Sequence, residues 1–196
     1  MIILSIGTNI GDRERNIENA VKALGEIGKV TAISPIYTSE PWGFESENGF
    51  YNIALTMESD LSPLDLLRET QRIEKELGRT TKTTTEYADR VIDIDIIDYD
   101  GQIITISQQS TVNSQQQNVV TQRGVSDDPM EQNNSQFSIL NFQLSILTLP
   151  HPLMHLRNFV LYPLADITPE WVHPILKLTA QELKERSEDK SIPHKK

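Results

Sequence analysis

Two aspartates separated by a single residue are the feature of this sequence best suited to chemistry. Asp93 and Asp95 lie within residues 91–97, where apolar and acidic residues alternate. Side chains along a β-strand alternate between its two faces, so this spacing predicts two carboxylates side by side on one face. Mg²⁺ with a polyphosphate suits such a pair, because the cation takes one or two carboxylates and completes its shell with water and phosphate oxygens. A solvated polar strand face is the structural alternative.

Three arginines would supply the positive charge that a phosphate-transfer site needs. Arg79, Arg90 and Arg157 each lie in or beside a predicted loop. A guanidinium group binds phosphate oxygens through paired hydrogen bonds and stabilises the negative charge that develops during transfer. Taken singly, each arginine is more simply interpreted as a surface residue. Together with the two aspartates, they form the set of groups typical of phosphoryl transfer.

Other polar residues give weaker indications. His151 lies between two prolines in a stiff extended segment, where it either donates to a phosphate or lies at the surface near a turn. A metal-binding pair of His151 and His155 has the i, i+4 spacing but needs a helix that the prolines disfavour. Segment 7–12 contains two glycines but lacks the lysine and the spacing of a phosphate-binding loop, which predicts a structural turn.

Composition limits the class of protein. The chain has 196 residues, 37% of them hydrophobic, and a formal net charge of −10. This length predicts one domain, and no apolar run approaches the ~20 residues that span a bilayer. The negative charge argues against nucleic-acid binding, which needs a basic surface. The absence of cysteine excludes disulfides and thiolate catalysis, and the absence of an export signal predicts a cytoplasmic protein.

Periodicity and turn signals predict the elements that must position these groups. Strands are predicted at residues 2–6, 29–37, 51–57 and 91–97, and helices are predicted at 17–28 and 62–78. A turn is predicted at Asp100-Gly101, and it would make residues 102–106 the hairpin partner of 91–97. The order β-α-β-β-α-β predicts an α+β fold, a ferredoxin-like sandwich of an antiparallel sheet with helices packed on it. A final helix at 176–185 and a charged, frayed segment at 186–196 are also predicted.

Residues 107–146 differ in composition from the rest of the chain. Of these 40 residues, 21 are serine, glutamine or asparagine. Such a segment has too little apolar surface to fold alone, so we expect a polar, low-complexity insertion in a single domain spanning 1–196. The alternative is a functional lid, because long loops in compact domains are either functional or disordered.

Several short motifs occur in an order that resembles one family. Residues 89–96 read Asp-Arg-Val-Ile-Asp-Ile-Asp-Ile, which is similar to the R-x-x-D-[IL]-D signature of the 6-hydroxymethyl-7,8-dihydropterin pyrophosphokinases. Supporting blocks lie at 6–9, 39–43, 50–52, 71–74, 78–79, 150–151 and 157–159. Each block is weak alone, but their order is specific. The resemblance covers residues 2–106 and 149–178.

The resemblance implies site residues and ligands. ATP and 6-hydroxymethyl-7,8-dihydropterin would bind in a cleft with two Mg²⁺ ions. Asp93 and Asp95 would hold both metals and, with Arg79 and Arg90, form the catalytic set. The implied ATP-binding residues are Glu74, Arg79, Arg90, His151 and Arg157, and the implied pterin-binding residues are Ser39, Trp42, Phe50, Asn52 and Phe159.

The resemblance also implies an activity, the transfer of pyrophosphate from ATP to the pterin in tetrahydrofolate biosynthesis, with AMP as the second product. The expected protein is a monomer that binds neither nucleic acid nor membrane. Two alternatives remain open. Another two-metal enzyme, such as a nucleotidyltransferase, would keep the aspartates without needing rings around a heterocycle. A non-enzymatic ligand-binding domain would tolerate the loss of Asp93.

Overall fold

The computed structural model describes residues 1–79, 88–107 and 145–196. Its strands are β1 (Ile2–Thr8), β2 (Lys29–Ile33), β3 (Tyr37–Ser39), β4 (Phe50–Glu58), β5 (Asp93–Tyr99), β6 (Ile104–Ser107), β7 (Ser145–Leu149) and β8 (His194–Lys195). Its helices are α1 (Arg13–Ile27), α2 (Pro63–Glu76), α3 (Asn158–Ile167) and α4 (Ala180–Glu185), with one 3-10 turn at Met154–Leu156. None of the helices in these ranges is long and apolar enough to cross a membrane.

An antiparallel sheet organises the molecule. Its strands follow the order β5-β1-β4-β3-β8, and β2 also pairs with β4. The predicted mixture of helices and antiparallel strands is therefore confirmed. The predicted strand 29–37 is divided, because β2 and β3 pair with different parts of β4 on either side of Pro35, which has no N–H to donate to a sheet.

Side-chain caps fix where the first two helices begin. The Asp12 carboxylate accepts from the backbone N–H of Arg15 at 3.2 Å, and the Ser62 hydroxyl accepts from the N–H of Asp65 at 3.2 Å. Pro63 occupies the first turn of α2, where its missing N–H costs no intrahelical bond. These caps confirm the predicted helix starting at Ser62, and they extend the first helix back to Arg13.

The two faces of β1 have different neighbours. Ile2, Leu4 and Ile6 are buried in the core cluster that includes side chains of α1 and α2. On the other face, Ile3 packs in a second cluster with side chains of α3. Ser5, two residues further on this second face, lines a cavity. A small side chain at this position leaves space above the sheet where a larger one would fill it.

The predicted β-hairpin is wrong in its pairing. Positive φ angles at Asp100 (52°) and Gly101 (66°) form the expected turn. However, β6 pairs with β7 in a separate two-stranded sheet, with Ile104 opposite Leu149. A turn reverses the chain only locally, whereas Leu147 and Leu149 bury apolar surface in the first core cluster and bring a distant partner to β6.

Residues 107–146 fall mostly outside the described ranges, which exclude 108–144. Ser107 ends β6 and Ser145 begins β7, so the edges of the predicted insertion belong to paired strands. The composition of the segment, rather than its structure, therefore remains the basis for interpreting 108–144 as an insertion. Ser107 and Ser145, the described residues on either side of 108–144, lie opposite each other where β6 pairs with β7.

The predictions for residues 158–196 need correction. The final helix begins at Ala180 rather than 176, because Thr179 and Glu182 form a capping box there. The segment predicted to be frayed contains β8, which pairs with β3. Helix α3 is absent from the predicted elements. It contains Pro163, which disfavours a helix interior, and the burial of Val160, Leu161 and Leu164 in the second core cluster offsets this cost.

A buried histidine makes stability depend on pH. His173 is 3% exposed, and its Nδ1 accepts from the N–H groups of Ile175 (3.2 Å) and Leu176 (3.1 Å). Burial, with the nearby charge of His155 as a smaller cause, lowers the pKa of His173 to about 4. The unfolded chain then binds more protons than the folded protein between about pH 6.5 and pH 4, so stability falls as the pH falls through this window.

We expect the His173 contribution to reach on the order of 3 kcal/mol at neutral pH and to be lost by about pH 4. The measurement is the urea unfolding free energy of the protein and of His173→Asn at pH 7 and pH 4.5. Asparagine keeps an acceptor near the Nδ1 position but does not titrate, so the variant should lose less stability on acidification. Equal losses in the two proteins would contradict the prediction.

Candidate active site

A cavity of about 250 Å³ opens on the sheet face that carries α3. It lies above Ser5 and Gly7 of β1, beside the start of β5 and next to the start of α3. The structure brings ten of the predicted site residues to its walls: Ser39, Trp42, Phe50, Asn52, Arg90, Asp93, Asp95, His151, Arg157 and Phe159. Glu74 and Arg79 do not line the cavity, but Arg79 forms ion pairs with Glu74 and with the lining residue Asp93.

The paired aspartates lie on one face of β5, as their spacing predicts. The register sets Asp93 opposite Gly7 and Asp95 opposite Ser5, and all four residues line the cavity. Ile94 and Ile96 point to the opposite face, where each is only 4% exposed in the first core cluster. Burial of these isoleucines therefore fixes the direction of both carboxylates.

Two arginines neutralise Asp93. The Arg79 guanidinium donates to Asp93 Oδ1 at 2.5 Å, and Arg90 donates to Asp93 Oδ2 at 2.5 Å. Burial lowers the pKa of Arg79, but the carboxylates of Asp93 and Glu74 outweigh burial, so the net pKa is raised. Arg79 therefore remains cationic, and an anionic ligand can compete with Asp93 for both guanidinium groups.

Glu74 connects helix α2 to this cluster. Its Oε1 accepts from the backbone N–H of Ile94 at 2.7 Å and from the Arg79 guanidinium. The residue is 7% exposed and does not line the cavity. In the structure, Glu74 therefore holds Arg79 against the start of β5. Its predicted contact with the nucleotide stays a prediction.

A hydrogen-bonded pair of loops holds Arg90. The backbone N–H of Arg90 donates to Asn9 Oδ1 at 2.7 Å, and the N–H of Asn9 donates to the Arg90 carbonyl at 3.1 Å. Asn9 Nδ2 donates to Asp89 at 2.6 Å, and Asn48 Nδ2 donates to the other oxygen of Asp89 at 2.7 Å. These bonds fasten Arg90 to the segment that precedes Phe50.

Aromatic side chains form the other end of the cavity. Trp42, Phe44, Phe50 and Phe159 line it, and the rings of Phe44 and Phe50 meet edge to face with centroids 6.1 Å apart. The Arg157 guanidinium lies 4.7 Å from the Trp42 ring centroid and 5.7 Å from that of Phe159. A flat ring compound with hydrogen-bonding edges suits such walls.

A buried amide supplies polarity within this aromatic end. Asn52 is 2% exposed, and its Nδ2 donates to the Ser39 hydroxyl at 2.9 Å. Gly7 lies opposite Asn52 in the register, and a Cβ at Gly7 would lie 3.2 Å from Asn52 Oδ1. A side chain at residue 7 would therefore crowd the amide and narrow the cavity.

Sequence reasoning missed five of the lining residues, namely Ser5, Gly7, Glu40, Phe44 and Leu153. For β1 a signal was available, because alternation along a strand places residues 5 and 7 on one face, and both are small. Small residues at alternate positions of a central strand leave space for a ligand. No comparable local signal marks Phe44 or Leu153, whose positions depend on loop conformation.

The residues present fit a divalent cation that arrives with a polyphosphate. Two carboxylates on adjacent same-face positions of β5 are ligands of the type that Mg²⁺ prefers. Within the described ranges, no group of three or more histidine, aspartate and glutamate side chains could hold a metal ion. Asp93 and Asp95 would supply two oxygen ligands, and phosphate and water would complete the shell of such a cation.

A cavity that combines two carboxylates and arginines with aromatic rings around an amide suits the class of enzymes that transfer a phosphate group to a flat ring compound. The family model described as 7,8-dihydro-6-hydroxymethylpterin-pyrophosphokinase (HPPK) matches residues 3–169. The chain belongs to this family.

Named relatives agree with this membership. The chain is 36% identical over 176 residues to 2-amino-4-hydroxy-6-hydroxymethyldihydropteridine pyrophosphokinase of Porphyromonas gingivalis, covering 89% of this chain and 94% of the relative. It is 30% identical to the Aquifex aeolicus protein of the same name, covering 93% and 89%. It is also 34% identical to folic acid synthesis protein FOL1 of Dictyostelium discoideum, covering 94% of this chain but only 22% of that protein.

Solved structures share the fold. A crystal structure of HPPK-DHPS in complex with substrates matches with a TM-score of 0.63 at 17% sequence identity, covering 94% of this chain and 42% of that one. A Plasmodium falciparum HPPK-DHPS structure with pterin and p-hydroxybenzoate gives a TM-score of 0.61 at 16% identity. At these identities, the likeness concerns the fold alone.

Proposed function

We propose that this protein transfers the β,γ-diphosphate of ATP to 6-hydroxymethyl-7,8-dihydropterin, forming the pterin diphosphate and AMP, a step of tetrahydrofolate biosynthesis. The observation that carries the proposal is one cavity in which an aromatic and amide end adjoins the Asp93–Arg90 end. This arrangement allows an alcohol on a flat heterocycle to meet a polyphosphate. Family membership supports the same pair of substrates.

The aromatic end would bind the pterin. Phe50 and Phe159 offer ring faces, and Asn52, fixed by Ser39, offers an amide to the donors and acceptors of the heterocycle. Trp42 would close the pocket from the segment after β3. In this role the rings supply binding affinity. The buried amide discriminates between ligands, because a ligand that cannot hydrogen-bond to it leaves the polar groups of the amide unpaired.

The carboxylates and the basic side chains that line the cavity would bind the triphosphate. Arg90, Arg157 and His151 line the cavity and would contact phosphate oxygens, and Arg79 would join them when Asp93 releases it. Asp93 and Asp95 would hold two Mg²⁺ ions with the phosphates. When bound, these ions neutralise phosphate charge and acidify the attacking alcohol.

Catalysis would rest on positioning and charge. The hydroxymethyl oxygen attacks the β-phosphorus in line, and a new O–Pβ bond forms. The bond between the β-phosphorus and the oxygen that bridges it to the α-phosphate breaks, and AMP leaves with that oxygen and the electron pair of the bond. The hydroxyl proton passes to solvent. Arg79 and Arg90 stabilise the charge that develops on the transferred group, and the aromatic walls hold the alcohol in line.

Finer features of the protein belong to the same proposal. A ferredoxin-like sandwich is supported by the order β5-β1-β4, with β2 and β3 both on the far side of β4 and helices α1 and α2 sharing one core with β1. We also propose a cytoplasmic monomer that binds neither nucleic acid nor membrane, consistent with a net charge of −10.

AMP formation tests the function. The protein should release AMP from ATP and Mg²⁺ only when the dihydropterin is present, in equal amounts with the pterin diphosphate. AMP formation without the pterin would favour another nucleotide-cleaving enzyme. If the protein neither forms AMP nor binds ATP in the presence of Mg²⁺, a non-enzymatic domain would be favoured. Omitting the divalent cation while keeping both substrates is the control.

A deletion tests the interpretation of 108–144 as an insertion. We expect that a short Gly/Ser link in place of these residues keeps both the fold and the diphosphotransfer, because Ser107 and Ser145 are already register partners. A loop of roughly 40 residues with fixed ends costs only about 1–2 kcal/mol more than a short one. The measurements are the urea midpoint and kcat. A folded variant with little activity would show that the segment is a working lid.

A further inference from the structure

We propose that residues 187–196 form a positioning segment for the active site and that Asp189 is its main positioning residue. This segment binds the start of α3 at one end and β3 at the other. The start of α3 carries Arg157 and Phe159, whereas β3 carries Ser39, and all three line the cavity. The inference rests on the proposed function for its kinetic readout, and a second readout below is independent of catalysis.

Asp189 takes the place of a missing helix cap. Arg157 is the N-cap residue of α3, but its side chain makes no capping hydrogen bond. Instead, the backbone N–H of Asn158, the first residue of the helix, donates to Asp189 Oδ2 at 2.9 Å. A carboxylate at this position also interacts favourably with the positive end of the helix dipole. The side-chain oxygen of Asp189 therefore caps the start of α3.

The Asn158 side chain makes a second set of bonds to the same segment. Its Nδ2 donates to the carbonyls of Asp189 at 2.8 Å and Ser191 at 2.6 Å, and the residue is only 4% exposed. Asp189 Oδ1 accepts from the Ser191 N–H at 2.9 Å, which holds the segment in the shape that presents both carbonyls. Asn158 thus faces the segment while its two sequence neighbours face the cavity.

The other end of the segment fastens β3. Lys195 lies opposite Tyr37 and His194 opposite Thr38 in the register of β8 with β3. The N–H of Lys196 donates to the Ile36 carbonyl at 2.9 Å. With β4 on its other side, the three-residue strand β3 is held on both edges just before Ser39 enters the cavity.

Asp166 closes this connection through α3 itself. Its carboxylate lies 2.9 Å from Lys195 Nζ and accepts from the Tyr37 hydroxyl at 2.8 Å. The segment therefore contacts the start of α3 through Asp189 and pairs with β3, and Asp166 near the end of α3 contacts both β3 and the segment. A change at Asp189 is consequently expected to move the α3 wall of the cavity relative to the Ser39 wall.

The kinetic test compares Asp189→Ala with Glu188→Ala. Glu188 is an exposed carboxylate one residue away, so the control removes the same charge without touching α3. We expect Asp189→Ala to raise KM for the dihydropterin roughly tenfold with a smaller change in kcat. Asp189→Asn keeps an oxygen acceptor for the Asn158 N–H and should recover most of the loss. Equal KM values in Asp189→Ala and Glu188→Ala would overturn the proposal.

The second readout needs no substrate. The chain has two tryptophans, so a Trp171→Phe background leaves Trp42 as the only one. Because Arg157 lies over the Trp42 ring, displacement of the start of α3 should change Trp42 emission in Asp189→Ala but not in Glu188→Ala. Unchanged emission in folded Asp189→Ala would overturn the proposal. Changed emission in a protein without diphosphotransfer would support the positioning role and contradict only the proposed function.

Discussion

Replacing Asp95 with asparagine is expected to lower turnover by at least about a thousandfold while the protein stays folded. Asp95 lies on the cavity face of β5 opposite Ser5, beside the carboxylate of Asp93. The asparagine side chain has the size of aspartate but lacks the negative charge that binds a cation. Because two neighbouring carboxylates repel one another, stability without ligands should stay equal or rise. The measurements are kcat for AMP release and the urea midpoint.

Asp100→Asn is the matched control for this variant. Asp100 lies just after β5, away from the cavity, and asparagine tolerates its φ of 52°. Its activity should equal that of the unchanged protein. An Asp95→Asn protein that turns over at the full rate would remove the metal-binding role from the aspartate pair. Calorimetric titration with ATP and Mg²⁺ would show whether the loss lies in binding or in the reaction.

Replacing Arg90 with alanine should lower kcat about 10²- to 10³-fold, because a guanidinium that stabilises developing phosphate charge acts mostly in the transition state. Arg90 lines the cavity and donates to Asp93 at 2.5 Å, and its backbone is held by Asn9. These backbone bonds persist in the variant, so the loop should keep its place. The measurement is kcat for AMP formation at saturating concentrations of both substrates.

Arg68→Ala supplies the comparison for Arg90. Arg68 is an exposed residue of α2 whose guanidinium pairs with Asp65 at the surface, and its side chain is 66% exposed. Removing it should leave kcat unchanged, since exposed ion pairs contribute little. If Arg90→Ala changed KM for ATP alone and left kcat intact, the role of Arg90 would be limited to binding.

Features with a local physical cause could be predicted from the sequence. The N-cap at Ser62 with Pro63 gave the start of α2, and alternation with isoleucine placed both carboxylates of 91–97 on one face. These depend on backbone geometry within a few residues. The strand pattern of the first hundred residues was predicted for the same reason, apart from the division at Pro35.

Features that depend on distant partners could not be predicted. The pairing of β6 with β7 and of β8 with β3 joins residues far apart in sequence, and short strands carry little signal of their partner. Helix α3 contains Pro163 and depends on burial against the sheet. Likewise, Phe44 reaches the cavity through a loop whose conformation no local pattern records.

The ion pairs of Asp93 with Arg79 and Arg90 separate two routes to inhibitor design. A neutral compound confined to the aromatic side chains of the cavity would leave both ion pairs intact, and it would not need a metal ion in order to bind. A phosphate mimic must instead displace a carboxylate at 2.5 Å from each arginine, and the displaced carboxylate then faces the mimic's own negative charge. Uncharged ring compounds are therefore the better starting point for ligands of this cavity.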